Sequence, residues 1–318
     1  MRHFQLPTGY KIPALGLGTY LSPPDKIEHA ILAALKAGYR HIDCAAIYGN
    51  EKQIGAALKK ALKLFPREEL WITSKLWCDA HKPEEVLPAL SQTLEDLGLE
   101  YLDLYLMHWP VALKPGVGLP GKRDDYFSLE EVPLRDTWRG MEDCVDREIV
   151  RNIGVSNFSI KKLTALLSTA AIPPAINQIE MHPYQQQRAQ VTFARKHDIR
   201  LTAYCPLGSI GTPITTADGC KPPPLLKHPL IMTIAKKHGC TTAQVLIAWL
   251  LNLNIIAIPK SITPERIQEN IISTEINLDA NDMTAIAELD MGARIIDGKV
   301  FTFYNSPYTI ENLWDGEF

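Results

Sequence analysis

Leu15-Gly16-Leu17-Gly18-Thr19, a short apolar run, leads into a segment in which Ile27, Ala30, Ile31, Ala34 and Leu35 recur at i, i+3 and i+4 up to Gly38. The run reads as a strand, and the segment after it as an amphipathic helix stopped by a glycine that can turn left-handed. The alternation then repeats. Strand-like runs begin near Arg40, Leu70, Leu102, Asn152, Ile176, Leu201 and Ile255, and helical stretches succeed them near 51–63, 83–97, 134–148, 159–169, 187–197, 228–251 (as two helices) and 264–272. Eight units in 318 residues leave about 40 residues each, above the roughly 30 that a βαβ repeat needs. They predict a (β/α)8 TIM barrel, because parallel strands need both faces covered and closure leaves no edge. An open doubly wound sheet is the alternative, but Leu21 stands where its dinucleotide fingerprint would need a third glycine after Gly16 and Gly18.

This pattern predicts one domain over 1–318, with the barrel at about 13–275 and a C-terminal extension over 276–318. Outside the repeat lie a piece from Phe4 to Ile12 that suits a hairpin, a loop from Val111 to Val132, and a tail after Asp290. Loops on a rigid scaffold carry variable function, so the last two are expected to shape substrate specificity.

The 33 basic and 36 acidic side chains give a net charge of −3 with no block of like charges, which argues against nucleic acid as a partner. The longest apolar run, Val245 to Leu251, falls far short of the ~20 residues that span a bilayer. No apolar h-region comes after Met1, so a cytosolic protein is expected. The six cysteines form no CxxC pair and read as reduced thiols, and no HExxH or paired-carboxylate pattern suggests a metal. No heptad or exposed stripe points to a second copy, which leaves a monomer as the expectation. Gly116 to Lys122 imitates the start of a phosphate-binding loop, but Arg123 stands where Ser or Thr must hold magnesium, and Pro120 interrupts it.

A (β/α)8 barrel builds its site at the carboxyl ends of its strands. The residues there are Thr19 and Tyr20; Asp43 and then Tyr48; Lys75; His108 flanked by Trp109; Ser156 and Asn157; Gln178 and Glu180; Tyr204 and Cys205; and Lys260 and Ser261. Asp43, Tyr48, Lys75 and His108 each have a plain packing explanation, but packing gives no reason for four ionisable groups to converge from three adjacent strands. An ammonium beside a phenol favours the phenolate, which would make Tyr48 a better proton donor. Asp43 would keep Lys75 charged, and His108 would orient a substrate carbonyl. Such a set suits a carbonyl that accepts hydride. The hydride source would sit near Lys260 and Arg266, two cations around a helix start with Thr263 as its expected N-cap and Pro264 at its first position. That anion site suits the 2′-phosphate of NADPH. Tyr204 could stack on the nicotinamide, with Ser156, Asn157 and Gln178 as neutral hydrogen-bonding partners.

Gly38-Tyr-Arg-His-Ile-Asp43-Cys-Ala-Ala-Ile-Tyr48, Ile72-Thr-Ser-Lys75-Leu-Trp77, Leu106-Met-His108-Trp109-Pro110, Ile153-Gly-Val-Ser-Asn157-Phe158 and Ile258-Pro-Lys260-Ser261 occur in this order. Together they resemble the aldo-keto reductase signatures, closest to the aldose and aldehyde reductases, from about Leu6 to Asp290. The resemblance implies a (β/α)8 barrel with Asp43, Tyr48, Lys75 and His108 as catalytic tetrad and Tyr48 as proton donor. It also implies an extended NADPH touching Gly18, Thr19, Tyr20, Asp43, Ser156, Asn157, Gln178, Tyr204, Cys205, Leu207, Ser209, Lys260, Ser261, Ile262, Thr263, Arg266, Glu269 and Asn270. Tyr20, Tyr48, Trp77, His108, Trp109 and Phe127 would line the pocket for a small carbonyl substrate. The chain departs from the family at Tyr20, where aldose reductases carry Trp, and at Gly211, in the place of an acidic residue that closes a loop over the cofactor.

Two other readings stand beside this one. A Schiff-base aldolase or lyase would use Lys75 as its nucleophile, and a non-catalytic NADPH-binding or crystallin-like protein would keep the fold with a broken tetrad.

Overall fold

The computed structural model describes residues 2–209 and 221–317. A hairpin of β1 (His3–Gln5) and β2 (Lys11–Pro13) pairs Phe4 with Ile12, as expected. Eight parallel strands then alternate with helices: β3 (Leu17–Gly18), α1 (Pro24–Ala37), β4 (His41–Asp43), α2 (Glu51–Ala61), β5 (Trp71–Leu76), α3 (Pro83–Leu97), β6 (Leu104–Met107) and α4 (Leu134–Asp146) make the first half. The second half is β7 (Ile153–Ser156), α5 (Ile160–Leu167), β8 (Ile176–Glu180), α6 (Arg188–Lys196), β9 (Arg200–Tyr204), α7 (Pro229–His238), α8 (Thr242–Asn252), β10 (Ile256–Ala257) and α9 (Pro264–Ile272).

The strands pair in chain order from β3 to β10, and the seam closes where the Gly16 and Gly18 amides donate to the carbonyls of Ala257 (2.9 Å) and Pro259 (3.1 Å). A Cβ at Gly18 would lie 2.8 Å from the Ile258 carbonyl oxygen, so the seam requires glycine there. The hairpin sits at the amino ends of the strands. Thr8 bonds Asn152 just before β7, and Arg200 at the start of β9 donates to the Gln5 carbonyl.

Helix boundaries obey local chemistry. Pro24, Pro83, Pro229 and Pro264 occupy first turns, and Gly38, Gly98 and Gly239 end α1, α3 and α7 in the left-handed conformation. Successive strand residues face opposite sides, so Ser74, which bonds Glu51 on α2, sends its neighbour Lys75 into the barrel. The main apolar core includes Ile42, Ile72, Leu106, Val155 and Ile176 on the strands and Ile31, Leu58, Leu90, Leu163 and Leu246 on the helices. A second, aromatic cluster holds Trp77, Trp109, Tyr126, Phe301, Tyr308 and Trp314.

The C-terminal extension contains two helices outside the eight-unit repeat, α10 (Ala280–Ala287) and α11 (Ile310–Trp314). Each opens with a reciprocal capping box, Asp279 with Asp282 and Thr309 with Asn312. Among the described residues, no helix is long and apolar enough to cross a membrane.

Candidate active site

The register that pairs Gly18 with Asp43, and Asp43 with Thr73, brings the ends of β3, β4 and β5 together. Lys75 is fully buried and Asp43 is 2% exposed; the Lys75 ammonium donates to Asp43 Oδ1 at 2.5 Å, to the Cys44 carbonyl at 2.7 Å and to Tyr48 Oη at 3.3 Å. The second Asp43 oxygen accepts from Gln178 Nε2 at 2.8 Å, a link between opposite parts of the barrel. The rings of Tyr48 and His108 stand 5.8 Å apart, and Trp77 packs edge-on to His108 at 5.1 Å. Half-buried Tyr48 therefore has Lys75 behind it and His108 beside it.

Burial alone would discharge Lys75, but Asp43 and then Tyr48 outweigh it and hold the ammonium pKa above its ordinary value. At Tyr48 the balance falls the other way. Burial is the larger effect and pushes the phenol up to about 12, with Lys75 pulling it down. Lys75 acts in the direction its charge predicts, but desolvation of the phenolate costs more than the ammonium returns. Burial, helped by Lys75 and His81, keeps His108 well below the usual histidine range, so its imidazole is neutral. Its Nδ1 finds no partner among the described residues. The set holds a protonated phenol and a neutral imidazole side by side, which suits proton delivery to an oxygen that becomes negative.

Around the rim the other candidates fall into two groups. Ser156 Oγ donates to the Gln178 carbonyl (2.9 Å), Asn157 Nδ2 to the His108 carbonyl (3.0 Å), and Tyr204 Oη to Asn157 Oδ1 (2.7 Å). Thr19 Oγ1 donates to the Asp43 carbonyl at 2.8 Å, and Tyr20 sets its exposed ring against Tyr48 at 5.1 Å. Asn157, Cys205 and Ser209 all take left-handed backbone, and burial pushes the Cys205 thiol up to about 12. Leu207 packs half-buried against the main core.

In the second group, Lys260 and Arg266 are exposed and, among the described residues, in no ion pair. They flank the start of α9. Thr263 stands at the N-cap, as expected, and its hydroxyl makes no cap bond; Ser261 Oγ accepts the Thr263 amide at 3.1 Å. The first-turn amides of α9 thus lack a side-chain cap and remain available to an anion. Ile262 is half-buried, Asn270 is buried, and exposed Glu269 offers its carbonyl to Gln244. Gly211 lies outside the described residues.

Phe127 is not part of the aromatic cluster; its ring lies under Lys82 Nζ at 5.0 Å, and the adjacent Tyr126 packs inward against Tyr308. Glu180, read with the strand-end polar groups, is fully buried and accepts the amides of Ile295 and Ile296 at 2.7 Å each, besides His182 Nε2 at 2.9 Å. It ties the tail to the barrel. Beyond that tie, Phe301 packs against both Trp77 and Trp109, which brings the tail within one ring of His108.

Residues 14–291 match the Aldo/keto reductase family. The chain is 50% identical to an aldo/keto reductase of Synechocystis, over 99% of this chain and 97% of that protein. It is 43% identical to human aldo-keto reductase family 1 member A1, over 92% and 90% of the two chains. The structure of an aldose reductase from Schistosoma japonicum matches with a TM-score of 0.87 and 38% identity, over 95% of this chain and 96% of that one. The chain belongs to the aldo/keto reductase family, and it is an oxidoreductase acting on carbonyl groups.

Proposed function

We propose that this protein reduces aldehydes to alcohols with NADPH, Tyr48 giving the proton to the carbonyl oxygen. The observation that carries the reading is Lys75, held charged between Asp43 and Tyr48 with a neutral His108 alongside. His108 orients the carbonyl by hydrogen bond, Tyr48 protonates its oxygen, and Lys75 stabilises the phenolate left behind. When bound, NADPH supplies the hydride. The residues fit that cofactor: the uncapped start of α9 between Lys260 and Arg266 suits its 2′-phosphate, and the Tyr204 ring with Asn157 and Gln178 suits the nicotinamide end. The aromatic wall of Trp77, Trp109 and Phe301 favours aromatic and apolar aldehydes over aldoses.

A charged lysine is no Schiff-base nucleophile, which counts against an aldolase. All four groups come from one chain, so a monomer suffices. The described cysteines are free thiols, in keeping with a reducing compartment such as the cytosol.

The test monitors NADPH absorbance with aromatic aldehydes, aldoses and ketones, repeated with NADH. Faster turnover of aromatic aldehydes, with NADPH preferred, is expected. Binding of NADPH without turnover of any carbonyl would favour the non-catalytic reading, and failure to bind NADPH would overturn the assignment.

A further inference from the structure

Resting on the reading of Tyr48 as proton donor, we propose that Glu51 is a positioning residue, a buried tie that holds the Tyr48 turn against the strand that carries Lys75. Tyr48 closes the single helical turn Ala46–Tyr48, and Glu51 opens α2 three residues later. The Glu51 carboxyl is only 5% exposed. Its Oε1 accepts from Ser74 Oγ at 2.5 Å, and its Oε2 from Thr93 Oγ1 on α3 at 3.1 Å. Ser74 immediately precedes Lys75 on β5 and points the opposite way. One carboxyl therefore joins α2, β5 and α3; β5 carries Lys75, and the turn just before α2 carries Tyr48, the two partners of the 3.3 Å contact.

The other side of the turn is held as well. Asn50 Nδ2 donates to the carbonyls of Thr19 (3.0 Å) and Ser22 (3.3 Å). An apolar residue could fill the space of Glu51 without desolvation cost, so a carboxyl there needs a reason, and its two hydroxyl partners supply one. The titratable groups facing it are Asp96 on α3, Lys75 on β5, Cys44 after β4 and Tyr105 on β6. Burial, opposed by the two hydroxyl bonds, pushes Glu51 up to about 7, and it can hold both hydroxyls in either protonation state.

If the tie slips, Lys75 draws away from Tyr48 and the phenol becomes a weaker acid. The experiment compares wild type, Glu51→Ala, Glu51→Gln and Ser74→Ala in the pH profile of kcat/KM for an aromatic aldehyde, in NADPH affinity, and in the NMR shift of Tyr48 Cζ. Glu51→Ala is expected to lower kcat/KM by about ten- to a hundredfold, the scale of an ångström-sized misplacement, and to move the alkaline limb upward at unchanged NADPH affinity. Glu51→Gln, which can still bond both hydroxyls, should restore rate and limb. A merely structural role would cost folded protein and leave the limb in place.

A wild-type limb and rate in folded Glu51→Ala would overturn the proposal, as would a Gln variant no better than Ala. If Glu51→Ala fails to fold, Ser74→Ala decides on the same criterion. A wild type without turnover contradicts the proposed function instead; the tie is then read from Tyr48 Cζ, expected to shift in the Ala variant and not in the Gln variant, an unmoved shift overturning it.

Discussion

Lys75 Nζ stands 2.5 Å from Asp43 Oδ1 inside the barrel, with neither side chain more than 2% exposed. The pair is not an isolated ion pair. Gln178 holds the second carboxylate oxygen, while the Cys44 carbonyl and Tyr48 hydroxyl take the remaining ammonium protons. Lys75→Met would leave Asp43 buried and uncompensated. The expected loss of stability is about 3–5 kcal/mol, read from the urea midpoint, together with loss of turnover.

Lys260 and Arg266 should distinguish the two nicotinamide cofactors. Arg266→Ala removes one cation beside the uncapped start of α9. NADPH affinity should fall about ten- to a hundredfold, the scale of a charge-assisted hydrogen bond, with NADH affinity nearly unchanged. Cofactor titrations by fluorescence quenching check this, and equal losses for both cofactors would place the 2′-phosphate elsewhere.

Glu180 tests the role of the tail. Glu180→Ala leaves the Ile295 and Ile296 amides without their acceptor, at about 1–3 kcal/mol for each part-buried group. The tail should loosen, become more sensitive to protease, and carry Phe301 away from Trp77 and Trp109. KM should rise for bulky aromatic aldehydes more than for small ones.

Acid should destabilise the fold. Burial lowers His41 to about 4 and His81 to about 3, and His108 lies well below the usual range. From about pH 6.5 downward the unfolded chain binds protons that the native state refuses, so stability falls with pH, by about 2 kcal/mol per buried histidine by pH 5. Glu51 works in the opposite direction: its folded pKa of about 7 lies above its unfolded value, so the native state gains a proton first on acidification. Asp79, Asp103 and Glu317, also raised by burial, act with Glu51, whereas Asp279, Asp282 and Asp315, held low, act with the histidines. The urea midpoint should drop between pH 7 and pH 5, and the drop should shrink in His81→Asn.

The helices were legible from their periodicity, and the strands as short apolar runs alternating with them, even where a strand is as short as Ile256–Ala257. The quartet was legible because barrel topology forces strand ends together. The tail was not. Glu180 meets backbone amides more than a hundred residues away, and backbone donors carry no residue identity in a sequence. Tyr126, which turns inward to Tyr308, lies in a loop without a period, where nothing in the sequence fixes which neighbour packs inside. The Tyr48 pKa depends on how much water packing removes, which residue type alone does not state. Glu51 is an acidic residue in the first turn of α2, and nothing in the sequence marks Ser74 and Thr93 as the hydroxyls that meet it.

Tyr48→Phe puts the proton-donor role to its sharpest test, assayed for NADPH-dependent reduction of an aromatic aldehyde and for NADPH affinity in the same preparation. Turnover is expected to fall by about 10²–10⁴-fold, the usual worth of a general acid, while NADPH still binds as in the wild type. A variant that keeps turnover close to that of the wild type would show that the proton comes from another group.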